Sequence, residues 1–457
     1  MTCALRIGLF FDGTGQGRGG NSESNIAKLY ELYEGSSSGE KHEIRQRKTL
    51  VFKHYITGVG TTEGFIDRKI AKGYGGGVGK KIYDTIDYVT KILDSHPYGT
   101  DEKRYKLREI DVFGFSRGAA EARGFVNTFT REYVNRFPKY NDVRFNFIGL
   151  FDTVAAIGKA DNNINMIPKK ENAQAGWIDM INSGLDPLYS IVPASEDSGL
   201  GDEHTNDSRY QPLNLDLSSS SARRIVHMTA HDEKRINFPL VDTYGAGAVE
   251  YELIGVHSDI GGGYEPFKNE NFTLNQPYNT KEQALNAAEK EASSRNAQMG
   301  AYGASGYGGY TPDEEEKSLF SQFPTPHSET KYIPTLHKHT PNTLSIVSLH
   351  LMYDEAKKDY VPLKKPSKEI PNYLKHYYEY AKVAKQKAWT YEANEDGDDL
   401  KRALTHHSAV GEDGYIGDRG IGDVLFHDSS DGIGGNDINH RGRAIFKNNS
   451  AHAVSAH

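Results

Sequence analysis

Cysteine is almost missing from the sequence, since Cys3 is the single one among 457 residues. One cysteine cannot form an intramolecular disulfide, so the fold must hold without a covalent cross-link, as is usual in a reducing cytoplasm. Long apolar runs are missing too, because no window approaches the roughly 18–20 apolar residues that a membrane-spanning helix needs. The first apolar run, Leu5–Phe11, is broken at once by Asp12 and glycines. We therefore expect neither a signal peptide nor a membrane-spanning segment.

An excess of positive charge is also lacking. The chain has 54 lysines and arginines against 62 aspartates and glutamates, which gives a formal net charge of −8. Proteins that bind nucleic acids owe much of their affinity to basic side chains on phosphates, so we expect no nucleic-acid partner. The apolar fraction of 37% together with 47 glycines is typical of globular chains, and a sizeable core is possible.

Short apolar runs that end in glycine or polar residues alternate with helical patterns. One such pattern places Ile82, Ile86, Val89 and Leu93 on a single helix face. Strands that alternate with helices predict an α/β fold with a mainly parallel sheet and helices on both faces. The predicted strands are Leu5–Phe11, Leu50–Ile56, Ile110–Phe115, Val143–Phe151, Arg224–Thr229 and Tyr251–Val256.

Composition along the chain suggests three parts. Residues 1–265 hold the strands and are predicted to form the catalytic core, with residues 157–220 as an insertion or cap between two strands. Residues 266–343 include a run of Gly, Ser, Ala and Tyr and are expected to form a mobile linker region. Residues 344–457 are predicted to be a helical and irregular C-terminal region that packs on the core.

The strongest chemical signal is a Gly-x-Ser-x-Gly pentapeptide that contains Gly114, Ser116 and Gly118. A predicted strand runs directly into it and an amphipathic helix follows, which is the context of the nucleophile elbow in α/β-hydrolases. We therefore predict an α/β-hydrolase-like fold with Ser116 as the nucleophile. The backbone N–H of Arg117, at the start of that helix, is a candidate oxyanion donor.

A serine nucleophile needs a base and an acid that orients it, and in α/β-hydrolases these follow at later strand ends. His257, which precedes a run of three glycines, is the candidate base. Two acids end earlier predicted strands, Asp152 and Asp232, and their order in the chain cannot choose between them. Asp232 is followed closely by Lys234 and Arg235, cations that could satisfy a purely structural carboxylate.

A glycine-rich loop follows the first strand. Gly13 and Thr14 lie where α/β-hydrolases place their second oxyanion donor, so a backbone N–H of either residue is predicted to serve. The glycine-rich run that ends at Lys81 fails the phosphate-loop pattern, because Tyr74 takes the place of the first glycine and Lys81 that of Ser or Thr. The 18 histidines show no metal-binding spacing, so we expect neither a metal nor another cofactor.

Six motifs in order resemble one family, the uncharacterised α/β-hydrolase family that includes the type VI secretion lipase effectors, and most closely their first phospholipase subfamily. The resemblance covers residues 5–265 and weakens beyond them. Gln16 departs from the pattern, since the family usually has asparagine there. The motifs are Phe11-Asp-Gly-Thr-Gly15, Thr57-Gly-Val-Gly-Thr61, Gly114-Phe-Ser-Arg-Gly-Ala119, Phe151-Asp-Thr-Val154, His231-Asp-Glu-Lys-Arg235 and Gly255-Val-His-Ser-Asp-Ile-Gly-Gly-Gly-Tyr264.

This resemblance implies a phospholipase A-type enzyme that degrades membrane phospholipid, with Ser116, Asp152 and His257 as the catalytic triad. It also implies synthesis in a bacterial cytoplasm, export by the type VI system, and action in the periplasm of a target cell. The expected partners are a phospholipid membrane, an immunity protein, and a secretion spike or tube protein. By this resemblance Asp152 is preferred over Asp232 as the acid.

Two other classes of function stay open. A hydrolase of small carboxyl esters or thioesters would keep the same triad with a closed pocket, and a non-catalytic binding protein would be expected to lose a triad member. A lipase needs an apolar entrance, which either the 157–220 insertion with Trp177 and Met180 or the 344–356 helix with Leu349 and Met352 could supply. Packing of both segments on the core is the alternative.

Overall fold

The structure is a computed structural model of the 457-residue chain. It describes residues 3–20, 22–58, 78–99, 105–154, 214–233, 238–264, 267–273, 277–301, 310–321, 327–390, 444–446 and 454–456. Most of the predicted 157–220 insertion, including Trp177 and Met180, lies outside these residues, as do Tyr74, Lys234 and Arg235.

A seven-stranded sheet forms the centre of the described part of the chain. Its strands are β1 (Cys3–Phe11), β2 (Glu40–Ile44), β3 (Arg47–Ile56), β4 (Leu107–Phe115), β5 (Arg144–Phe151), β6 (Arg224–Ala230) and β8 (Val249–Leu253), and the short β7 (Leu240–Val241) lies outside the sheet. The strand order is β2-β3-β1-β4-β5-β6-β8, and every neighbouring pair is parallel except the edge pair β2 and β3. The predicted α/β fold is confirmed.

All six predicted strands are present, and β2 is the one strand of this seven-stranded sheet that the sequence analysis missed. Its sequence, Glu-Lys-His-Glu-Ile, has one apolar residue, and its side chains are exposed or half-buried. A polar strand of this kind suits a sheet edge, where charged side chains discourage pairing with other chains. The alternation of apolar residues that identifies a half-buried strand is therefore absent.

Helices cover both faces of the sheet because successive strand residues point in opposite directions. On one face, alternate β1 residues such as Ile7 and Leu9 pack in one apolar cluster with α2 (Val78–Ser95) and α3 (Arg117–Phe129). On the other face, Phe10 packs in a second cluster with α1 (Asn25–Leu32). The two clusters give the sheet a core on each side.

The second face is completed by helices from the C-terminal region. Helix α6 (Leu344–Lys358) and helix α7 (Lys375–Ala384) contribute buried apolar side chains to the same cluster as Phe10. Leu349 is 4% exposed and Met352 is fully buried. Both are core residues, so the idea that this helix supplies an apolar entrance for lipid is not supported.

The expected linker differs from the structure. Residues 266–343 contain α5 (Lys281–Ala301) and three strands, β9 (Phe267–Thr273), β10 (Tyr310–Ser321) and β11 (His327–Pro341), which form an antiparallel sheet in the order β10-β11-β9. The expectation of a linker was set by the Gly- and Tyr-rich run, of which residues 302–309 lie outside the described part. Strand β10 is rich in charged residues, so its composition does not predict a strand. Its pairing with β11 stabilises the strand conformation.

Beside several single turns of 3-10 or π-helix, the described part contains three further elements. The short α4 (His257–Gly261) follows β8, and β12 (Ala444–Phe446) pairs with both β7 and β13 (Val454–Ala456). Among the described residues, no helix is both long and apolar enough to cross a lipid bilayer.

The strand order identifies where a ligand is expected. Strand β1 lies between β3 and β4, so the chain leaves β1 in one direction across the sheet and later returns to the other side of it. In open parallel sheets, ligands bind beyond the carboxyl ends of the strands at such a reversal point. The loop after β1 begins at Asp12 and the turn after β4 holds Ser116, so both lie at this point.

Candidate active site

Ser116 occupies a sharp turn between β4 and α3. Its backbone dihedrals are φ 58° and ψ −127°, which L-residues other than glycine seldom adopt and which store strain. The flanking glycines make the turn possible: a Cβ on Gly114 would lie 2.6 Å from Ala119 Cα, and one on Gly118 would lie 2.3 Å from the Asp12 carbonyl oxygen. The pentapeptide therefore forms a strained strand-to-helix elbow, as its sequence predicts.

Backbone hydrogen bonds join this elbow to the end of β5. The Ser116 N–H donates to the Phe151 carbonyl at 3.0 Å, and the Val154 N–H donates to the Ser116 carbonyl at 3.2 Å. Asp152 lies between these two contacts and has a positive φ of 41°. Two strained residues on neighbouring strand ends are thus fixed against each other, which is typical of functional sites.

Asp152 and His257 are in direct contact. The Nδ1 atom of His257 lies 2.5 Å from Asp152 Oδ2, and the two side chains are almost fully buried. The other carboxylate oxygen, Oδ1, accepts the Ala230 backbone N–H at 2.9 Å. Because both oxygens have partners, the carboxylate is held in one orientation. A carboxylate on Nδ1 fixes the tautomer that leaves Nε2 as the proton-accepting nitrogen.

His257 begins α4, and its surroundings hold both its backbone and its ring. The backbone N–H donates to Glu233 Oε2 at 3.3 Å. The imidazole contacts the rings of Phe115 and Phe238, with centroid distances of 4.7 and 4.9 Å. Phe115 directly precedes Ser116, so the imidazole lies beside the elbow. Burial between two phenyl rings limits ring rotation and excludes water from one side of the imidazole.

Two supporting residues were missed by the sequence analysis. Glu233 is 1% exposed and holds the His257 backbone, although it reads as one of several charged residues in a row. His227 lies inside β6, and its Nε2 accepts the Thr153 backbone N–H at 3.2 Å, which steadies the residue after Asp152. An ionisable residue within a buried strand is a signal that could have identified His227.

The alternative acid, Asp232, has a different role in the structure. Its Oδ2 accepts the Gly255 backbone N–H at 2.7 Å, and its own N–H donates to the Gly255 carbonyl at 3.0 Å. These two contacts fasten the end of β6 to the loop that leads into His257. Asp152 thus contacts the imidazole of His257, whereas Asp232 holds the backbone of the loop that leads to it. The two cations that we expected to pair with Asp232, Lys234 and Arg235, lie outside the described residues.

The loop after β1 lies against the elbow and is organised by Asp12. This fully buried carboxylate accepts the Gly13 N–H at 2.7 Å, the Ser24 hydroxyl at 2.7 Å, and the Tyr55 hydroxyl. Burial raises the pKa of Asp12, although all three hydrogen bonds favour its charged form. The N–H of Gly13, one of the predicted oxyanion donors, is therefore engaged by Asp12. Thr14, the other residue of this loop that was predicted to supply a donor, is the next residue in the chain.

A further buried carboxylate lies one turn into α3. Glu121 is 1% exposed, and neither of its oxygens has a hydrogen-bond partner. Burial raises its pKa to about 7, although the nearby cations Lys81 and Arg117 oppose the shift. The Lys81 ammonium donates to the Thr57 carbonyl. The side chain of Arg117, whose N–H is the other predicted oxyanion donor, thus belongs to a buried group of charges beside the elbow.

The described residues contain no cluster of three or more His, Cys, Asp or Glu side chains that could hold a metal ion.

Fold and geometry together define the class of protein: an α/β protein with a candidate serine-hydrolase site at the carboxyl ends of its parallel strands. Residues 6–132 match the family model described as "T6SS, Phospholipase effector Tle1-like, catalytic domain". The match confirms the resemblance to type VI secretion lipase effectors that the motifs indicate, and it supports an antibacterial phospholipase effector. The matched segment contains Gly13, Thr14 and Ser116, while Asp152 and His257 lie beyond it.

A solved structure of the Tle1 effector bound to the VgrG spike from the Type 6 secretion system is similar to this chain. The two are 20% identical with a TM-score of 0.57, and the similarity covers 98% of this chain and 94% of that one. It shows a shared fold. An uncharacterized protein from Pseudomonas aeruginosa is similar at a TM-score of 0.46 and 18% identity, covering 88% of this chain and 52% of that one. No curated protein sequence matches significantly.

Proposed function

We propose that this chain is a serine-dependent phospholipase of the A type, in which Ser116, His257 and Asp152 act as a catalytic triad. The observation that carries the proposal is the 2.5 Å contact between His257 Nδ1 and Asp152 Oδ2, buried beside a strained serine elbow. The family match over residues 6–132 supports phospholipid as the substrate class.

The first half of the reaction forms an acyl-enzyme. His257 Nε2 takes the proton of the Ser116 hydroxyl while Oγ attacks the carbonyl carbon of an acyl ester, which places a negative charge on the carbonyl oxygen. The imidazolium, stabilised by Asp152 on Nδ1, then gives its proton to the departing alcohol oxygen of the lysophospholipid. The ester bond breaks, and the acyl group stays on Ser116.

The second half releases the fatty acid. A water molecule takes the place of the lysophospholipid. His257 removes a proton from this water, and the resulting hydroxide attacks the acyl carbonyl carbon. Collapse of this second tetrahedral intermediate returns the proton to Ser116 Oγ. The strained elbow helps both halves because it holds Oγ at the bend between strand and helix, beside the amides at the start of α3.

Delivery by a type VI secretion system is the cellular part of the proposal. The similar Tle1 effector is bound to a VgrG spike in its structure, which supports a spike protein as the partner that carries this chain. In the target periplasm the enzyme would meet phospholipid in the inner membrane. A producing cell exposed to the same enzyme needs an immunity protein, so we propose one as the second partner. Affinity purification from the producing organism should recover both, and recovery of neither would contradict this part.

The test of the catalytic proposal uses vesicles of phosphatidylethanolamine and phosphatidylglycerol with different acyl chains at the two glycerol positions. The wild type should release a fatty acid and a lysophospholipid, and the identity of the fatty acid reports which ester is cut. Ser116→Ala should release neither. Ser95→Ala, an exposed serine at the end of α2, is the matched control and should behave as the wild type.

Three outcomes would contradict the proposal. Diacylglycerol or phosphatidate as the product would mean that a phosphate ester is cut. Hydrolysis of small soluble esters without any attack on vesicles would favour the small-ester hydrolase. A folded wild type that hydrolyses no ester would favour a binding protein on a hydrolase scaffold.

A further inference from the structure

The loop after β1 contains a hydroxyl group that the rest of the fold does not use. The Oγ1 atom of Thr14 is buried, yet it has no hydrogen-bond partner in the structure. Most buried side-chain polar atoms do have a partner, because a buried group without one has lost its bonds to water and received nothing in return. Such a group is a candidate hydrogen-bond donor to a bound ligand, which the free protein lacks.

The neighbouring backbone group is already engaged. The Gly13 N–H donates to Asp12 Oδ1 at 2.7 Å, and Asp12 is itself fixed by the hydroxyls of Ser24 and Tyr55. An oxyanion could recruit the Gly13 N–H only by breaking this buried contact with a carboxylate. Of the two predicted donors in the loop, Gly13 is thus the weaker candidate.

The loop is pressed against the elbow and cannot withdraw. A Cβ built on Gly13 would lie 2.8 Å from the Phe115 ring and 3.4 Å from Ser116 Cβ. On the other side, a Cβ built on Gly58 would lie 1.6 Å from the Gly13 carbonyl oxygen. The Gly58 N–H also donates to the Gln16 carbonyl at 3.2 Å, and the Gln16 N–H to the Gly13 carbonyl at 2.9 Å. Thr14 therefore lies in a tight turn, directly after the glycine that packs closely against the elbow.

We propose that the Thr14 hydroxyl is a side-chain donor of the oxyanion hole, which hydrogen-bonds the carbonyl oxygen of the substrate ester as its charge develops. This inference rests on the proposed serine mechanism and adds a catalytic residue to it. The O–H of Thr14 donates to the negative oxygen of both tetrahedral intermediates, beside the Arg117 backbone N–H. Asp12 is then a positioning residue, because its hydrogen bonds hold the loop that presents Thr14.

A preorganised donor of this kind costs stability in the free enzyme and is satisfied only during the reaction. Removing it should lower kcat and leave KM nearly unchanged, because the bond forms with the charged oxygen. Loss of one oxyanion donor typically lowers turnover by roughly 100- to 1,000-fold. A residue that merely packs the loop would change stability instead.

The test compares Thr14→Val, which keeps the shape but removes the hydroxyl, with Thr14→Ser, which keeps the hydroxyl. Thr14→Val should lower kcat by roughly 100- to 1,000-fold with an unchanged or higher Tm, and Thr14→Ser should recover most of it. Inhibition by a short-chain trifluoromethyl ketone, whose adduct with serine carries an oxyanion, should weaken in parallel. Thr49→Val on β3, where a hydroxyl bonds the Arg47 carbonyl, is the matched control and should change Tm without changing kcat.

Ser116→Ala, assayed in parallel, separates the two proposals. A Thr14→Val enzyme that keeps kcat within threefold of the wild type, beside an inactive Ser116→Ala, overturns the role of Thr14 and leaves the triad standing. Equal losses in Thr14→Val and Thr14→Ser also overturn it, since the hydroxyl would not be what matters. If Thr14→Val fails to fold, Thr14→Ala takes its place, and a folded and active Thr14→Ala has the same meaning. Activity in Ser116→Ala would instead overturn the serine mechanism itself.

Discussion

Two buried groups of charged residues lie on the same sheet, and they are built in opposite ways. On the face covered by α1 and α6, Arg6 donates to both oxygens of Asp111 and to Glu109, and Asp111 also accepts the Tyr33 hydroxyl and the Asn146 amide. We refer to these five residues as the Arg6 network. Each of its charged side chains is paired with an opposite charge. Nothing in it has an uncommon backbone conformation.

The carboxyl end of the sheet is different. Ser116 and Asp152 have positive φ values there, and the side-chain oxygens of Thr14 and Glu121 are buried without partners. The charged groups of the Arg6 network have their bonds made within the protein, and the side-chain oxygen of Asn146 is the one buried polar atom of the network without a partner. The serine site keeps strain and unmade bonds, which persist when a substrate or transition state supplies what is missing. The comparison therefore predicts that changes at the serine site cost activity, whereas changes in the Arg6 network cost stability.

The largest expected effect comes from the nucleophile and the base. Ser116→Ala and His257→Ala should each lower kcat by about 10⁶-fold, because members of a triad act as one unit. Tm should change little, since neither side chain holds the core together. Assays of ester hydrolysis and thermal unfolding on the same preparations check both parts. Substantial turnover in either folded variant would remove the triad assignment.

Within the serine site, Asp152 and Asp232 are expected to respond differently to the same substitution. Asp152→Asn should lower kcat by about 10⁴-fold, because an amide favours the wrong tautomer of His257. Asp232→Asn should mainly reduce stability, since its carboxylate holds the Gly255 backbone, and activity per folded molecule should fall far less. Measurements of kcat and Tm for the two variants show which aspartate serves as the acid of the triad. A stable but inactive Asp232→Asn beside an active Asp152→Asn would move the acid to the later strand.

The Arg6 network should show the opposite pattern. Asp111→Asn leaves the buried Arg6 guanidinium without its bidentate partner, and breaking a buried ion pair typically costs about 3–5 kcal/mol. Activity per folded molecule should stay near that of the wild type. Chemical denaturation measures the first quantity and kcat at low temperature the second. A stable Asp111→Asn enzyme with a large loss of kcat would erase the distinction between the two groups.

Glu121 makes stability depend on pH. Its pKa of about 7 in the folded protein lies above the usual 4.5, so between these values the folded chain keeps a proton that the unfolded chain has lost. Stability should therefore fall as pH rises from 4.5 to 7, by at most about 3 kcal/mol for a shift of this size. Glu121→Gln should flatten this decline and raise Tm at pH 8. Glu282→Gln, at an exposed position on α5, is the control, and equal behaviour of the two variants would contradict the assignment.

The smallest expected effect is that of metal chelators. In the proposed mechanism the nucleophile, base and oxyanion donors all come from the protein, so EDTA should leave vesicle hydrolysis largely unchanged. Loss of activity in EDTA that calcium restores would reveal a metal site outside the mechanism described here.

Much of the fold follows from local pattern. Six strands and the elbow could be predicted because buried parallel strands are almost continuously apolar and because glycine is required on both sides of a strained serine. Strand β2 was not predicted because an edge strand keeps its polar side chains in water and so lacks the apolar pattern of a buried strand. The three-stranded sheet within residues 266–343 was not predicted because β10 is rich in charged residues and because β9 pairs with β11, which lies far along the chain.

In the candidate site, too, some residues could be predicted from local pattern and others could not. Ser116 and His257 were visible because each lies in a motif with its own backbone signature. The pairing of His257 with Asp152 depends on which strand ends are neighbours, and residue order along the chain left Asp232 equally open. The roles of Asp12 and Glu233 depend on long-range contacts that no local pattern encodes. Gly13 was predicted as a donor because its position fits, and its contact with Asp12 emerged only in three dimensions.

We propose that His257 and Asp152 activate Ser116 as a nucleophile, and covalent labelling of the serine is the sharpest test of this activation. The protein is treated with a fluorophosphonate bearing an alkyl chain, digested, and mapped by mass spectrometry. We expect one adduct, on Ser116, formed rapidly by the wild type and roughly a thousandfold more slowly by His257→Ala. No adduct on Ser116 in a preparation that hydrolyses phospholipid vesicles would contradict it.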